Sequence, residues 1–475
     1  MNKLKLFLEN FLIYGLGGTI GKIIPVVMIP IITRMIPDAS SFGISDMCTT
    51  IVSFGSALAI MGMYDAMYRM FFEMEDEKYK KQICSNALSF TVITSAFVFC
   101  IMILCKDFIA RKFFGDIKYT YLVYVAAMST LVGATNSIVT APTRMQNKRV
   151  VYLVMNIVNP LISYSIAIVM ILKGYYIEAL PVGTMIASIL NELVFFILNK
   201  DWFAFPCFQK KHLKQLLKIA IPLLPNFLIY WIFNSSDKLM ITNLLGTRAT
   251  GIYSVGAKLG QASQLIYTAF AGGWQFFAFS TMKEDDQVKT NSLIFEYLGV
   301  ISFSCTAIVF LICQPLYNLL FTGEYIKGYI ISPYLFLAPL LQMLFQVACN
   351  QFLIIKKTWP NLYILSAGAI VNIILNLVLI PKIGIEGAAI ATLIGYAVSD
   401  IICVLVLIKM QLMIISKRFL MAVGEIVIYV IVWRFFMKDM VVLSLISISV
   451  VIVSYIMLYK TDIKNIFLSM KGKKR

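Results

Sequence analysis

Charged residues are scarce in this chain of 475 residues. Asp, Glu, Lys and Arg together make up 14% of it, whereas hydrophobic residues make up 60%. Soluble domains carry about 25% charged residues, so this composition excludes an ordinary soluble protein. The mean hydropathy of +0.84 leads to the same conclusion. We therefore expect an integral membrane protein.

Long polar segments are also absent. The longest connections between apolar stretches, around 66–84 and 199–218, are too short to fold as separate domains. A membrane-spanning helix needs about 20 mainly apolar residues. The sequence therefore predicts an all-α integral membrane protein with fourteen transmembrane helices, whose approximate cores are 11–32, 43–64, 86–105, 120–141, 151–172, 178–198, 219–241, 252–279, 293–313, 331–355, 361–380, 386–408, 419–436 and 441–459.

Sequence motifs for catalysis and metal binding are missing. The nine cysteines are scattered singly, without a CxxC pair, and the single histidine, His212, lies among lysines as a surface residue would. The glycine-rich segment 15–22 fails as a phosphate loop because Ile23 stands where Ser or Thr is required. The prediction is a transporter rather than an enzyme, with no catalytic residue, no metal site and no cofactor.

An internal repeat at an offset of 208 residues joins distant parts of the chain. The segment 177–179 (Ile-Glu-Ala) recurs at 385–387 (Ile-Glu-Gly), and Gly43-Ile44 recurs as Gly251-Ile252. A constant offset over such a distance indicates two homologous halves, which in membrane transporters usually flank a central pathway.

The repeat predicts the domain organisation. Residues 1–208 would form an N-terminal six-helix lobe and residues 209–410 a C-terminal six-helix lobe. The segment of about 209–218 alternates cations with leucines, as an amphipathic helix linking the lobes would. Residues 411–475 would add two transmembrane helices and a basic tail.

The distribution of cations predicts the orientation. Of the 41 Lys and Arg residues, 27 lie on the side of the termini, eleven lie in the opposite loops and three lie inside spans. Positive charge favours the cytoplasmic side, so both termini are expected in the cytoplasm. The net charge of +17 then reflects orientation and attraction to anionic lipid, without a nucleic-acid partner.

Charged residues deep inside spans are the main candidates for a site. Lys22 lies near the middle of span one, and the pair Asp237-Lys238 lies at about the same depth as Lys258 on the next helix. A cation at such depth costs about 2.5–3.5 kcal/mol unless it has a partner or a wet cavity. We predict that the three lysines bind an anionic substrate and that Asp237 is their gating or coupling partner. The structural alternative is an Asp237–Lys258 ion pair that only holds the hairpin.

Five polar residues are secondary candidates. Arg34 lies in the first loop, while Asp65 and Arg69 flank span two and suit an interfacial position equally well. Gln261 belongs to a series of amides that suits hydroxyl-rich ligands or helix association. Asp400 is one of the carboxylates that could carry a coupling proton or form a hydrogen bond between helices.

Several motifs resemble a known family of transporters. These are 236–241 (Ser-Asp-Lys-Leu-Met-Ile), 251–254 (Gly-Ile-Tyr-Ser), and 372–376 (Asn-Ile-Ile-Leu-Asn) running on to Pro381 and 384–389 (Gly-Ile-Glu-Gly-Ala-Ala). They resemble the Wzx-type repeat-unit flippases of O-antigen, capsule and related glycans. That group belongs to the polysaccharide branch of the MOP superfamily, which also holds MATE drug exporters and the lipid II flippase. The resemblance covers about residues 1–410.

The resemblance implies a fold, a substrate and a mechanism. The fold would be MATE-like, with two lobes and with spans one, two, seven and eight lining a cleft. The substrate would be an undecaprenyl-diphosphate-linked oligosaccharide, such as a lipopolysaccharide or capsule repeat unit, moved to the outer leaflet by alternating access. H⁺ or Na⁺ would drive the movement, and a polymerase and a chain-length regulator of the same pathway are possible partners.

Two other functions compete with this interpretation. A MATE-like multidrug or cation antiporter would have a cleft rich in carboxylates and aromatics, whereas lysines lead here. A multi-span glycan polymerase or ligase typically has one large external loop with catalytic arginines. No external loop in this sequence exceeds about twenty residues.

Overall fold

Helices account for nearly all of the residues that the structure, a computed structural model, describes. It describes residues 21, 23–203, 208–282, 284–355, 357, 359–437 and 440–464, and no strand occurs among them. In chain order the helices are α1 Ile23–Met35 and then α2 Ala39–Ile60, α3 Met63–Phe71, α4 Glu77–Leu104, α5 Lys106–Phe113, α6 Thr120–Met145, α7 Arg149–Leu172, α8 Ala179–Asn199, α9 Lys210–Ala220, α10 Leu224–Leu245, α11 Thr247–Gly260, α12 Gln264–Ser280, α13 Gln287–Leu320, α14 Ser332–Ile354, α15 Trp359–Ile383, α16 Ile385–Lys409, α17 Lys417–Val432 and α18 Val441–Leu458.

Each of the fourteen predicted spans overlaps a helix in the described part of the chain, although residues 11–20 and 22 of the first span lie outside it. In the described part of the chain, 11 helices are long and apolar enough to cross a membrane, and α1 and α18 are shorter apolar helices. The fourteenth span is α11 and α12, joined by one turn of 3₁₀ helix at Gln261–Ser263. The prediction of an all-α, multi-pass membrane protein is confirmed.

Local interactions fix both ends of α2. At its start, the Asp38 carboxylate accepts hydrogen bonds from the backbone N–H groups of Ser40 and Ser41, at 3.2 and 3.3 Å. Such a cap satisfies donors that the first turn of a helix leaves unpaired. At its end, Met61 and Gly62 adopt left-handed backbone angles. A side chain at Gly62 would lie 2.7 Å from the Ala220 carbonyl, so glycine permits the close approach of α9.

Two compact units can be distinguished by their internal packing. The first comprises Met1–Lys258, Phe321–Gly328 and Ala369–Thr392, so α10 and α11 pack together with helices of the first half of the sequence. Within this unit α6 packs on α2, α4 and α8, and α10 packs on α2 and α5. These units record which helices touch, whereas the division into lobes 1–208 and 209–410 rests on internal homology. That division stays a prediction.

The second unit comprises Leu259–Leu320, Tyr329–Gly368 and Leu393–Arg475. In it α13 packs against α14 and against the last two helices, α17 and α18. The Glu296 carboxylate of α13 accepts hydrogen bonds from the Ser416 N–H and hydroxyl, both at 2.8 Å, and from the Tyr459 hydroxyl at 3.3 Å. Arg418 lies 3.6 Å from Glu296 and 2.5 Å from Asp462. We call this group of five residues the Glu296 clamp.

Candidate functional site

Helices α2 and α11 cross at two glycines. A Cβ at Gly43 would overlap the Thr247 carbonyl, and a Cβ at Gly251 would overlap the Ala39 carbonyl. The hydroxyls of Ser40 and Thr247 lie 2.5 Å apart at the same place. Two helix backbones approach this closely only where side chains are missing, so the glycines create the crossing.

The crossing is reciprocal with respect to the repeat. The 208-residue offset maps Ala39 onto Thr247 and Gly43 onto Gly251. Each glycine therefore meets the residue four positions before the other glycine. A reciprocal contact of this kind is characteristic of two equivalent elements related by a two-fold axis. The repeat-related helices thus meet each other directly.

One buried carboxylate beside this crossing binds two lysines. Asp46 of α2 is 4% exposed, and its Oδ2 accepts from Lys238 Nζ of α10 at 2.6 Å. Its Oδ1 lies 3.3 Å from Lys258 Nζ of α11. The Lys238 side chain is 15% exposed and that of Lys258 is 33% exposed. We call Asp46, Lys238 and Lys258 the Asp46 cluster, which carries one net positive charge when all three are ionised.

Helical spacing explains why the crossing assembles the cluster. Asp46 follows Gly43 by three residues and Lys258 follows Gly251 by seven, so each charged residue shares a helix face with its glycine. When the glycines bring the two faces together, the charges beside them meet as well. Lys238 joins from α10, which packs on α2.

The second buried carboxylate at this level, Asp237, has different partners. Its Oδ2 accepts a hydrogen bond from the Tyr253 hydroxyl of α11, and its Oδ1 accepts from the Lys238 backbone N–H at 2.8 Å. The alternative prediction of an Asp237–Lys258 ion pair is therefore wrong. Asp46 binds Lys258 instead, because the glycine crossing brings α2 closer to this lysine than the hairpin brings Asp237.

Two further interactions adjoin the crossing, and we call the four residues that form them the rim. Arg248, at the start of α11, donates to both carboxylate oxygens of Glu324 at 2.5 Å, and the Tyr325 hydroxyl donates to the Asp38 carbonyl at 3.3 Å. The Arg248 guanidinium holds the pKa of Glu324 below its usual range. All these residues belong to the first unit.

The remaining predicted residues lie elsewhere or outside the described chain. Lys22 falls outside the described residues. Arg34 is exposed at the end of α1, Asp65 and Arg69 are exposed on the short helix α3, and Gln261 is exposed in the 3₁₀ turn after α11. Asp400 is buried in the second unit. Lys238, Lys258 and Asp237 are thus the predicted site residues that the structure places together.

Two residues of this site, Asp46 and Tyr253, were not predicted from the sequence. Asp46 was not among the candidates predicted from the sequence, although it is almost fully buried and is the partner of both lysines. A carboxylate seven residues inside an apolar helix was a signal that could have identified it. Tyr253, the donor to Asp237, stood in the segment 251–254 without a role.

Comparisons with known proteins identify a family and a fold. The family model described as polysaccharide biosynthesis protein matches residues 31–328. The structure resembles the lipid II flippase MurJ in an inward closed conformation, with a TM-score of 0.68, 15% identity, and coverage of 95% of this chain and 99% of that chain. It also resembles an inward-facing multidrug resistance MATE family transporter of the MOP superfamily, with a TM-score of 0.60, 15% identity, and coverage of 85% and 94%.

A MATE transporter from Vibrio cholerae has the same fold, with a TM-score of 0.59, 13% identity, and coverage of 86% and 98%. No curated protein sequence matches the chain. At these identities the structural neighbours establish the fold alone. The MATE-like fold predicted from the sequence is confirmed.

Proposed function

The chain belongs to the polysaccharide biosynthesis protein family, and we propose that it flips a polyprenyl-diphosphate-linked oligosaccharide from the cytoplasmic to the outer leaflet of the bacterial inner membrane. The Asp46 cluster carries this proposal, since two lysines on different helices converge on one buried acid. The fold shared with a lipid II flippase supports a lipid-linked substrate. Undecaprenyl is the polyprenyl carrier that we propose.

The distribution of cations predicts which side of the membrane the crossing of α2 and α11 faces. The bias of 27 to eleven in Lys and Arg residues assigns three loops to the outer side, namely those between predicted spans one and two, seven and eight, and nine and ten. These loops adjoin the glycine crossing and the Arg248–Glu324 rim. We therefore assign the crossing of α2 and α11 as the outer gate, which separates to release the glycan outside.

Opening the crossing would change the ion pairing of the Asp46 cluster. While the crossing is closed, Asp46 neutralises much of the charge on the two lysines. Separation of α2 from α10 and α11 would leave these cations without their partner, which is unfavourable in a poorly hydrated environment. A diphosphate could replace Asp46 as the counter-ion, because charged oxygens form strong hydrogen bonds with ammonium groups. Gate opening and substrate binding would then compensate one another.

Asp237 is the proposed gating or coupling residue. Its bond from Tyr253 joins α10 to α11, while the neighbouring Lys238 binds Asp46 on α2. A change in the protonation or position of Asp237 would therefore reach Lys238 through one peptide unit. H⁺ or Na⁺ is the proposed coupling ion.

Reconstitution into liposomes tests the proposal. Purified protein should move a fluorescent polyprenyl-diphosphate glycan across the bilayer without changing its mass. Replacing Lys238 or Lys258 by Gln should reduce the flipping rate at least about tenfold, equivalent to a loss of about 1.4 kcal/mol of interaction with the diphosphate. Lys118→Gln is the matched control, because Lys118 is paired with an acid, Asp116, but is 64% exposed outside the cluster.

Three outcomes would contradict the proposal. Wild-type rates in both lysine variants would remove the role of the cluster. A lengthened or cleaved glycan in mass spectra would indicate a polymerase or ligase. Transport of organic cations without transport of the glycan would indicate a MATE-like antiporter.

A further inference from the structure

Four buried or half-buried carboxylates within the spans could each carry a coupling proton, namely Glu192, Glu296, Asp400 and Glu425. Glu296 belongs to its clamp, Glu425 accepts from Ser454 at 2.7 Å, and Glu192 is only half-buried and lies near the Thr135 hydroxyl. Asp400 of α16 differs from all three. It is 8% exposed, and neither carboxylate oxygen has a hydrogen-bond partner among the residues that the structure describes.

The internal repeat relates the surroundings of Asp400 to those of Glu192. The 208-residue offset relates Asp400 to Glu192, and it relates Met343 of α14 to Thr135 of α6. The position of the Thr135 hydroxyl in the first half thus carries a thioether in the second half. Met343 is itself 2% exposed, so the related position is apolar and buried.

The surroundings of Asp400 offer no compensating charge. The titratable groups that interact with it are the thiols of Cys349 on α14 and Cys403 on its own helix. Over the described ranges of the second unit, no lysine or arginine forms an ion pair with it. An ionised carboxylate without a partner is far more costly to bury than a neutral carboxylic acid. Binding a proton removes most of this cost.

We propose that Asp400 is a proton-binding site in the second unit, protonated in this conformation and able to release its proton when the helices around it admit water. The acid O–H bond breaks on release, the proton passes to water, and the carboxylate stays hydrated until a proton returns. The proton site stands on its own geometry. Its link to glycan movement rests on the proposed function.

Infrared spectroscopy of the full-length protein in lipid tests protonation directly. The difference spectrum between wild type and Asp400→Asn at pH 7 should contain a protonated-carboxyl band that vanishes in the variant. This band should convert into carboxylate bands as the pH is raised. Asp400→Glu should keep a protonated-carboxyl band, and Asp46→Asn should not remove it, since Asp46 is paired with two lysines. Carboxylate bands alone at pH 7 would overturn the proposal.

A chemical probe locates the proton independently. Dicyclohexylcarbodiimide is lipid-soluble and reacts with protonated carboxyl groups, and the acylurea that results is visible in peptide mass spectra. We expect modification at Asp400 at pH 7, decreasing at higher pH, and none at Asp46. Modification of Asp46 but not of Asp400 would contradict the assignment.

Transport assays then separate the proton site from the proposed function. In liposomes with a pH gradient, Asp400→Asn should lose the acceleration of flipping by the gradient and keep the slow flipping seen without it. An unchanged response to the gradient would overturn the coupling role of Asp400. Failure of the wild type to move any glycan would overturn the proposed function, while the infrared band would still report the proton site.

Discussion

Asp46 and Glu296 are both buried carboxylates with cationic neighbours, yet their surroundings differ. Asp46 has two lysine ammonium groups as partners, and Lys258 is one-third exposed. Glu296 has backbone and hydroxyl donors at 2.8 Å, with Arg418 at 3.6 Å. Lysine is a flexible point charge, whereas several fixed donors restrain a carboxylate in one position.

The packing beside the two acids differs in the same sense. Next to Asp46, Gly43 and Gly251 bring bare backbones together, so no side chains interlock. Next to Glu296, the Phe419 ring packs over Gly299 and lies 5.6 Å from the Phe295 ring. Interlocked aromatic rings resist separation, whereas a smooth contact held by ion pairs can open when its charges find other partners. We infer that the contact between α2 and α11 beside Asp46 can separate, whereas the contact around Glu296 stays closed.

Alanine at Gly251 and alanine at Gly299 should have the most different effects. At Gly251 a methyl group would overlap a backbone carbonyl, whereas at Gly299 it would lie 2.5 Å from the Phe419 side chain, which can shift. Overpacking costs about 1–3 kcal/mol, and the backbone at the crossing cannot yield. We expect Gly251→Ala to reduce flipping more than about tenfold, and Gly299→Ala to lower thermal stability while flipping per folded molecule stays near wild type.

Labelling of Ser40→Cys with an impermeant maleimide reports whether the crossing still closes. The Gly251→Ala background should raise the labelling rate, and the Gly299→Ala background should leave it unchanged. Gly424→Ala is the control for helix substitution itself, because no described residue outside the adjoining part of its own helix comes within 4 Å of the added methyl group. Equal labelling in all three backgrounds would show that the crossing is not a gate.

Neutralising the two acids gives the next largest difference. Asp46→Asn leaves two lysines without an acid, and an uncompensated buried charge costs about 3–5 kcal/mol, less where the lysine is partly exposed. Because the crossing can relieve this cost by opening, we expect a large loss of flipping with a modest fall in melting temperature. Glu296→Gln should show the reverse, a clear fall in melting temperature with flipping retained.

A charge exchange tests whether the pairing itself matters. Asp46→Lys combined with Lys238→Asp restores the ion pair between α2 and α10 with its charges exchanged, while Lys258 then faces a lysine. The double variant should therefore recover only part of the outer-gate closure, measured by the Ser40→Cys labelling. A double variant as open as Asp46→Lys alone would argue against the ion pair as the closing interaction.

The sequence predicted the helices and part of the site for clear physical reasons. Apolar runs of about 20 residues are fixed by bilayer thickness, so all fourteen spans could be found. Depth in the membrane identified Lys238, Lys258 and Asp237 as unusual. Their partners could not be found in the same way, because partners depend on which helices cross. Only the approach of Gly43 to Gly251 assigns Asp46 to Lys258 and leaves Asp237 to Tyr253.

Two breaks between helices could not be predicted from the sequence for a similar reason. Asp65 and Arg69 lie on α3, a separate short helix created by the left-handed turn at Met61 and Gly62, rather than at the end of α2. The break between α11 and α12 follows Gly260, where a side chain would lie 2.8 Å from Leu335. Both depend on what packs against the glycine, which a single sequence does not record.

Of the two lysines in the Asp46 cluster, Lys238 should contribute more than Lys258 to closure of the crossing. Lys238 is the more buried and lies 2.6 Å from Asp46, whereas Lys258 lies at 3.3 Å. Gln in place of Lys238 should therefore increase Ser40→Cys labelling more than Gln in place of Lys258. Arg at position 258 should preserve closure better than Gln, since the charge is kept although the shape differs. The opposite order would mean that exposure does not set the strength of these pairs.

The smallest effect is expected at the rim, from the pH dependence of the Arg248–Glu324 pair. Because the pKa of Glu324 is lowered in the folded protein, its contribution is present above the pKa of an unfolded glutamate, about 4.3, and is lost as the pH falls through the lower folded value. Melting temperatures of wild type and Glu324→Gln should differ at about pH 6 and converge towards about pH 3. The difference should be small and salt-sensitive, since Arg248 is 66% exposed. A difference that persists at the lowest pH would mean that Glu324 stabilises the rim by packing rather than by charge, and the closed crossing would then depend on the Asp46 cluster for its electrostatic stabilisation.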